Sequence, residues 1–126
     1  MNLEASASAA GAPLISVILP LYNEGANLRA FLSDVQTALE KTGHPFELVL
    51  IDDGSPDDTW KVITEEAARL PAVRAVRLSR NFGKELALCA GLERARGDVM
   101  VLMDGDGQHP PALLPDMVRL WQTTGA

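Results

Sequence analysis

From Ile15 onward, short apolar runs alternate with longer stretches of helical periodicity. Segments 15–21 (ISVILPL), 46–51 (FELVLI), 73–78 (VRAVRL) and 98–103 (DVMVLM) are short, rich in β-branched residues and bounded by polar, Gly or Pro positions, which predicts four strands. Two of the four are almost continuously apolar, the pattern of strands covered on both faces. Between the first two, Leu28, Phe31, Leu32, Val35 and Leu39 recur at helical spacing until Gly43 and Pro45 stop the period. Ser55-Pro56-Asp57-Asp58 predicts a second helix start, with Ser55 as N-cap, Pro56 at the first helical position and both aspartates as capping acids. Its inward face is Trp60, Ile63, Ala67 and Leu70. A third helix is expected over 84–96, apolar around much of its circumference, with Cys89 a small buried residue and Gly97 the stop. A fourth follows Pro110 and Pro111, carries Leu113, Leu114, Met117, Val118 and Trp121, and accommodates Pro115 only in its first turn.

The alternation of strands and helices implies an α/β fold: a Rossmann-like parallel sheet with right-handed crossovers, expected strand order 3-2-1-4, and helices on both faces. In that order the connections after strands one and four leave in opposite directions, so a crevice opens beyond their carboxyl ends. Residues 1–13 are small, polar and aperiodic and read as a loose tail, leaving 14–126 as one domain. The length of 126 residues fits that single domain, and 47% hydrophobic residues suffice for a core. A net charge of -6 argues against a sequence-independent grip on nucleic acid, so a phosphate-bearing ligand has to be held locally or through a cation. One cysteine excludes an internal disulfide framework, and neither a membrane-length apolar run nor a signal peptide is visible, which suggests a cytoplasmic setting.

The chemistry lies at the predicted strand ends. After strand one, Tyr22-Asn23-Glu24-Gly25 replaces the glycine-rich turn of a dinucleotide fold with a ring, an amide and a carboxylate. These suit a base or sugar, or simply cap the helix. After strand two, Asp52 and Asp53 face different directions, one able to accept from ribose hydroxyls or a base N–H and the other structural; a solvated turn is the alternative. After strand three, residues 79–85 gather Arg80 and Lys84, which could touch phosphate or form an exposed helix start. After strand four, Asp104-Gly105-Asp106-Gly107 sets two carboxylates one residue apart, a donor set for Mg²⁺ or Mn²⁺. The spacing fails as an EF-hand, since His109 and Pro115 stand where Gly and Glu are needed, and His109 reads as a turn residue rather than a ligand.

In order and spacing, SVILPLYNE (16–24), LVLIDDGSPDDT (48–59), RLSRNFGKELALCAGL (77–92), the A-x-G-D at 95–98 and VLMDGDGQHPP (101–111) together resemble family 2 glycosyltransferases of the GT-A fold. Within that family they resemble the polyprenyl-phosphate sugar transferases. The resemblance implies the nucleotide-binding half of a GT-A fold, with Pro20, Tyr22 and Glu24 lining a nucleotide pocket and Ile51 and Asp53 meeting base and ribose. It also implies Asp104 and Gly105 at ribose and diphosphate, Asp106 as the catalytic metal ligand beside Asp104, and Gln108 near sugar or phosphate. Gly105 and Gly107 depart from the Ala and Leu common there, which loosens the loop without removing a carboxylate. The implied activity is inverting transfer from a nucleotide diphosphate sugar to a lipid phosphate, UDP being favoured over GDP by the RNFGKE block. An acceptor half and membrane association at the cytoplasmic face are expected from segments beyond these residues. Two alternatives stand beside it: a nucleotide-sugar-binding fragment without turnover, and a haloacid-dehalogenase-like phosphatase with Asp104 as nucleophile.

Overall fold

The computed structural model describes residues 13–103 and 111–124. Four strands, β1 (Ile15–Leu21), β2 (Phe46–Asp52), β3 (Val73–Arg77) and β4 (Val99–Leu102), form one parallel sheet in the order β3-β2-β1-β4. Helices α1 (Gly25–Glu40), α2 (Thr59–Arg69), α3 (Lys84–Arg94) and α4 (Leu114–Thr124) follow the strands in turn, a 3-10 turn at Pro111–Leu113 leading into α4. Pro115 falls in the first turn of α4, where its missing N–H has no helical partner to lose.

The direction of each crossover decides which face its helix covers. The steps β1 to β2 and β2 to β3 run one way across the sheet, and the step from β3 to β4 runs back over both. Right-handed connections therefore put α1 and α2 on one face and α3 on the other. The period-2 burial matches: Ile15, Val17, Leu19 and Leu21 of β1 join Leu48, Leu50, Val101 and Met103 in the larger core, closed by Leu28, Leu32, Val35 and Leu39 of α1, Val62 and Ile63 of α2, and Leu114 and Val118 of α4. On the opposite face Ile18, Val49 and Ile51 meet Ala87 of α3.

Helix α3 sits on that second face through its smallest residues. A Cβ on Gly91 would lie 2.5 Å from Ile18 Cγ2 and 2.6 Å from Ile51 Cδ1, so the helix backbone rests directly on the strands. This corrects the expectation that Cys89 is buried in a helix apolar around much of its circumference. Leu86 and Leu92 are exposed and so is Cys89, because Ala87 and Gly91 set the rotation of the helix about its axis. Met100 and Leu102, on the same face of β4, are exposed as well.

The start of the second helix also differs from expectation. It begins at Thr59, not at Pro56, and Ser55 does not cap it. The Ser55 hydroxyl instead accepts a hydrogen bond from the Asn23 N–H across the sheet end. Ile63 is buried as expected, whereas Trp60, Ala67 and Leu70 only pack against the rim of the core. At the opposite end of the sheet, the buried Glu47 carboxylate accepts from the Ser16 hydroxyl (2.6 Å) and the Arg96 N–H (2.7 Å), with the Arg74 guanidinium 3.5 Å away. That network fastens the return from α3 into β4 and gives the buried carboxylate its hydrogen-bond partners.

Candidate donor-binding crevice

The strand register brings the chemically interesting turns to one end of the sheet. Leu21 pairs with Asp52, Asp52 with Arg77, and Ile18 with Leu102. The Asp53 N–H donates to Leu21 O (2.9 Å), the Leu78 N–H to Asp52 O (2.9 Å) and the Met103 N–H to Ile18 O (3.1 Å), so every chain leaves the sheet at the same edge. Pro20 lies near the end of β1, paired opposite Ile51; beyond the sheet end lie Tyr22 and Glu24 after β1, Asp53 after β2, and Arg80 and Lys84 from the segment after β3. Asp104, Gly105, Asp106, Gln108 and His109 lie outside the described residues, as does the expected tail apart from Pro13.

At the β1 turn, Tyr22 is 46% exposed, an aromatic face open to solvent at the mouth of the crevice. Asn23 adopts φ 60°, a left-handed conformation uncommon for a residue with a side chain. Glu24 stands at the N-cap of α1 but makes no side-chain cap.

Asp52 and Asp53 do point to opposite faces, and both are buried. Asp52 follows Leu48 and Leu50 onto the α1–α2 face, where Oδ1 accepts from the Ser55 N–H (3.0 Å). Its Oδ2 has no hydrogen-bond partner and lies 3.8 Å from Arg77 Nε. The Arg77 guanidinium in turn stacks 5.4 Å from the centroid of the Trp60 ring. A depression of about 430 Å³ lined by Gly54, Ser55, Arg77, Leu78 and Ser79 opens beside this group.

Asp53, on the α3 face, organises the segment that precedes α3. Its carboxylate accepts from the Phe82 N–H (2.8 Å), the Gly83 N–H (3.1 Å) and the Asn81 amide (3.2 Å). These are N–H groups ahead of the first turn of α3, so the carboxylate supplies both hydrogen bonds and negative charge to the positive end of that helix. A carboxylate has about four acceptor positions, of which these three donors fill three. The two loops also touch: a Cβ on Gly54, at φ +69°, would lie 2.4 Å from Asn81 N. Arg80 is exposed and stacks over Phe82 at 4.8 Å, and Lys84 opens α3 on the surface. Ile51 is fully buried against the α3 backbone, so its side chain forms the floor beneath the crevice rather than a wall of it.

Asn81 and Thr59, which sequence reading did not single out, and Ser55, expected only as an N-cap, tie these turns together. Each acts on a partner 28 to 35 positions away, and no local spacing signals such a contact. Among the described residues no group of three or more His, Cys, Asp or Glu is placed to hold a metal ion. No helix among the described residues is long and apolar enough to cross a membrane.

An open four-stranded parallel sheet in the order β3-β2-β1-β4 with helices on both faces is the Rossmann-like architecture of the GT-A fold. The sequence profile of glycosyl transferase family 2 matches residues 16–126, and the chain belongs to that family. It is 42% identical over 108 residues to the undecaprenyl-phosphate 4-deoxy-4-formamido-L-arabinose transferase of Pseudomonas syringae pv. syringae (strain B728a), covering 84% of this chain and 32% of that protein. It is 40% identical over 106 residues to CsbB of Bacillus subtilis (strain 168), named as a glycosyltransferase, with the same two coverages of 84% and 32%. The chain thus spans about a third of the length of the curated relatives it matches. In fold it is similar to the mannosyltransferase PcManGT from Pyrobaculum calidifontis, solved in complex with GDP-Man and Mn²⁺ (TM-score 0.73, 24% identity, 95% of this chain and 39% of that one). It is also similar to S. aureus TarS 1-349 in complex with UDP (TM-score 0.64, 25% identity, 86% and 32%). The dehalogenase-like phosphatase reading does not survive the family match.

Proposed function

We propose that residues 14–126 form the donor-binding part of a transferase that moves a sugar from a nucleotide diphosphate, UDP in preference to GDP, to a polyprenyl-phosphate lipid. The observation that carries this reading is that the β1–β2 register and the Asp53 N–H bond to Leu21 O bring the turns bearing Tyr22 and Asp53 to the same end of the sheet. Tyr22, Pro20 and Glu24 take the base and ribose on one side, and the remaining acceptor position of Asp53 takes a donor from the other. Ile51 underlies them. In this reading Arg80 and Lys84 take the diphosphate and Gln108 the sugar or phosphate.

Asp106 and Asp104 supply the carboxylate oxygens for Mg²⁺ or Mn²⁺, a donor set that suits a hard divalent cation. Such a cation, when bound, neutralises charge that develops on the departing diphosphate. The lipid phosphate is already an anion at neutral pH and attacks the anomeric carbon from the face opposite the nucleotide. The bond to the diphosphate oxygen breaks with its electron pair, and the anomeric centre inverts. The full-length protein works at the cytoplasmic face of a membrane. Support for the lipid acceptor comes from the undecaprenyl-phosphate transferases among the relatives.

A second reading is favoured by the chain spanning 32% of those relatives: it binds the nucleotide sugar without turning it over. Incubation with UDP-hexose, Mn²⁺ and undecaprenyl phosphate separates the two. Glycolipid formation supports transfer by these residues, and nucleotide binding without product supports the second reading. Failure to bind either UDP or GDP, with or without Mn²⁺, refutes both.

A further inference from the structure

We propose that Asp57, acting with Ser55 and Thr59, is a positioning group that holds the 22–25 turn in its ligand-ready shape, an inference that rests on the donor-site reading of that turn. Three successive backbone N–H groups of the turn are captured by side chains from the β2–α2 loop. Asn23 donates to Ser55 Oγ (2.9 Å), Glu24 to Thr59 Oγ1 (2.9 Å) and Gly25 to Asp57 Oδ2 (3.1 Å). The hydroxyl of Thr59 passes its own proton toward Asp57 Oδ1, which also accepts from the Thr59 N–H (3.0 Å). One carboxylate thus ties the first N–H of α1 to the first residue of α2.

The turn does not hold itself. Asn23 sits at φ 60°, a conformation that side chains disfavour, and α1 lacks a side-chain cap of its own. The fit is also close: a Cβ on Gly25 would lie 2.0 Å from Asp58 Oδ1 and 3.1 Å from Thr59 N. Burial pushes the Asp57 pKa up, but the hydrogen bonds from the Thr59 hydroxyl and from the Thr59 and Gly25 N–H groups outweigh it and keep the carboxyl below its ordinary value. The group at the clamp is therefore an anion at neutral pH. It occupies the N-terminal N–H of α1 that would otherwise attract a ligand phosphate, so the turn contributes the Tyr22 ring and the Glu24 carboxylate to binding rather than a diphosphate cradle.

The experiment pairs calorimetric titration of UDP and GDP in Mn²⁺ with backbone amide exchange at residues 23–25, in the wild-type chain and in Asp57→Ala, Thr59→Val, Thr59→Ser and Glu47→Ala. Asp57→Ala and Thr59→Val are expected to speed exchange at 23–25 about tenfold and to weaken nucleotide binding about fivefold, while Thr59→Ser keeps both near wild type. Glu47→Ala, which loosens the far end of the sheet, is expected to lower the Tm and change neither readout. Wild-type exchange and affinity in Asp57→Ala would overturn the proposal, as would an equal loss of affinity in Glu47→Ala, which would trace the effect to general destabilisation. If the wild-type chain binds neither nucleotide, the donor-site reading fails by itself. Exchange at 23–25 then still decides the clamp: faster in Asp57→Ala supports it, unchanged overturns it.

Discussion

Replacing Gly91 by alanine sets two well-understood effects against each other. Gly91 lies inside α3, and Ala in a helix interior is worth roughly 0.5–1 kcal/mol over Gly. The new methyl would meet Ile18 Cγ2 at 2.5 Å and Ile51 Cδ1 at 2.6 Å, both belonging to side chains with no exposed surface. The Ile51 tip can rotate, but Ile18 Cγ2 is fixed on a β-branched carbon of a fully buried side chain in a close-packed interior. Overpacking of this kind costs about 1–3 kcal/mol, so the net expectation is a destabilisation of about 1 kcal/mol. Urea unfolding at 25 °C reads it directly, and a thermal scan should show a fall of about 4 °C. Adding Ile51→Val, which deletes the Cδ1 methyl, should make the double variant cost less than the sum of the two single changes by about 0.5 kcal/mol or more. A Gly91→Ala chain as stable as wild type, or strictly additive costs, would refute the close seating of α3 on the sheet.

Three further outcomes follow from the same contacts. Glu47→Ala leaves the Ser16 hydroxyl and the Arg96 N–H without their acceptor and should cost about 2–3 kcal/mol in urea unfolding. For Asp57, a folded-state pKa below the ordinary 3.8 means that its stabilisation is complete above that value and fades as pH falls through the lower folded value. The acid limb of a stability-against-pH curve should therefore flatten in Asp57→Asn. Exposed Cys89 should react with a thiol reagent in the native chain at a rate within about tenfold of the unfolded chain, and Cys89→Ser should change stability by no more than about 0.5 kcal/mol.

The sheet was legible because its signals are local. Residues 15–21 carry a β-branched apolar run, and β1 spans that stretch; four strands alternating with helices imply a parallel sheet, and the expected 3-2-1-4 order is the one observed. What escaped depends on distant partners. Ser55 has the local profile of an N-cap, yet the turn at Asn23 takes its hydroxyl and the helix starts at Thr59. Leu86 and Leu92 have the profile of core residues, yet the two small positions Ala87 and Gly91 allow the helix backbone nearer the strands and turn the leucines outward. Asp53 was legible as a candidate by its place after β2, but its work in holding residues 81–83 depends on contacts spanning 28 to 30 positions.

Titration of UDP and GDP into the chain and its Asp106→Ala variant, each with and without Mn²⁺, tests the central claim most directly. The donor-site account predicts binding that Mn²⁺ strengthens in the wild-type chain, tighter for UDP than for GDP, with the metal-dependent gain abolished in Asp106→Ala. Equal affinity in the variant and the wild type, or binding indifferent to Mn²⁺, would contradict it.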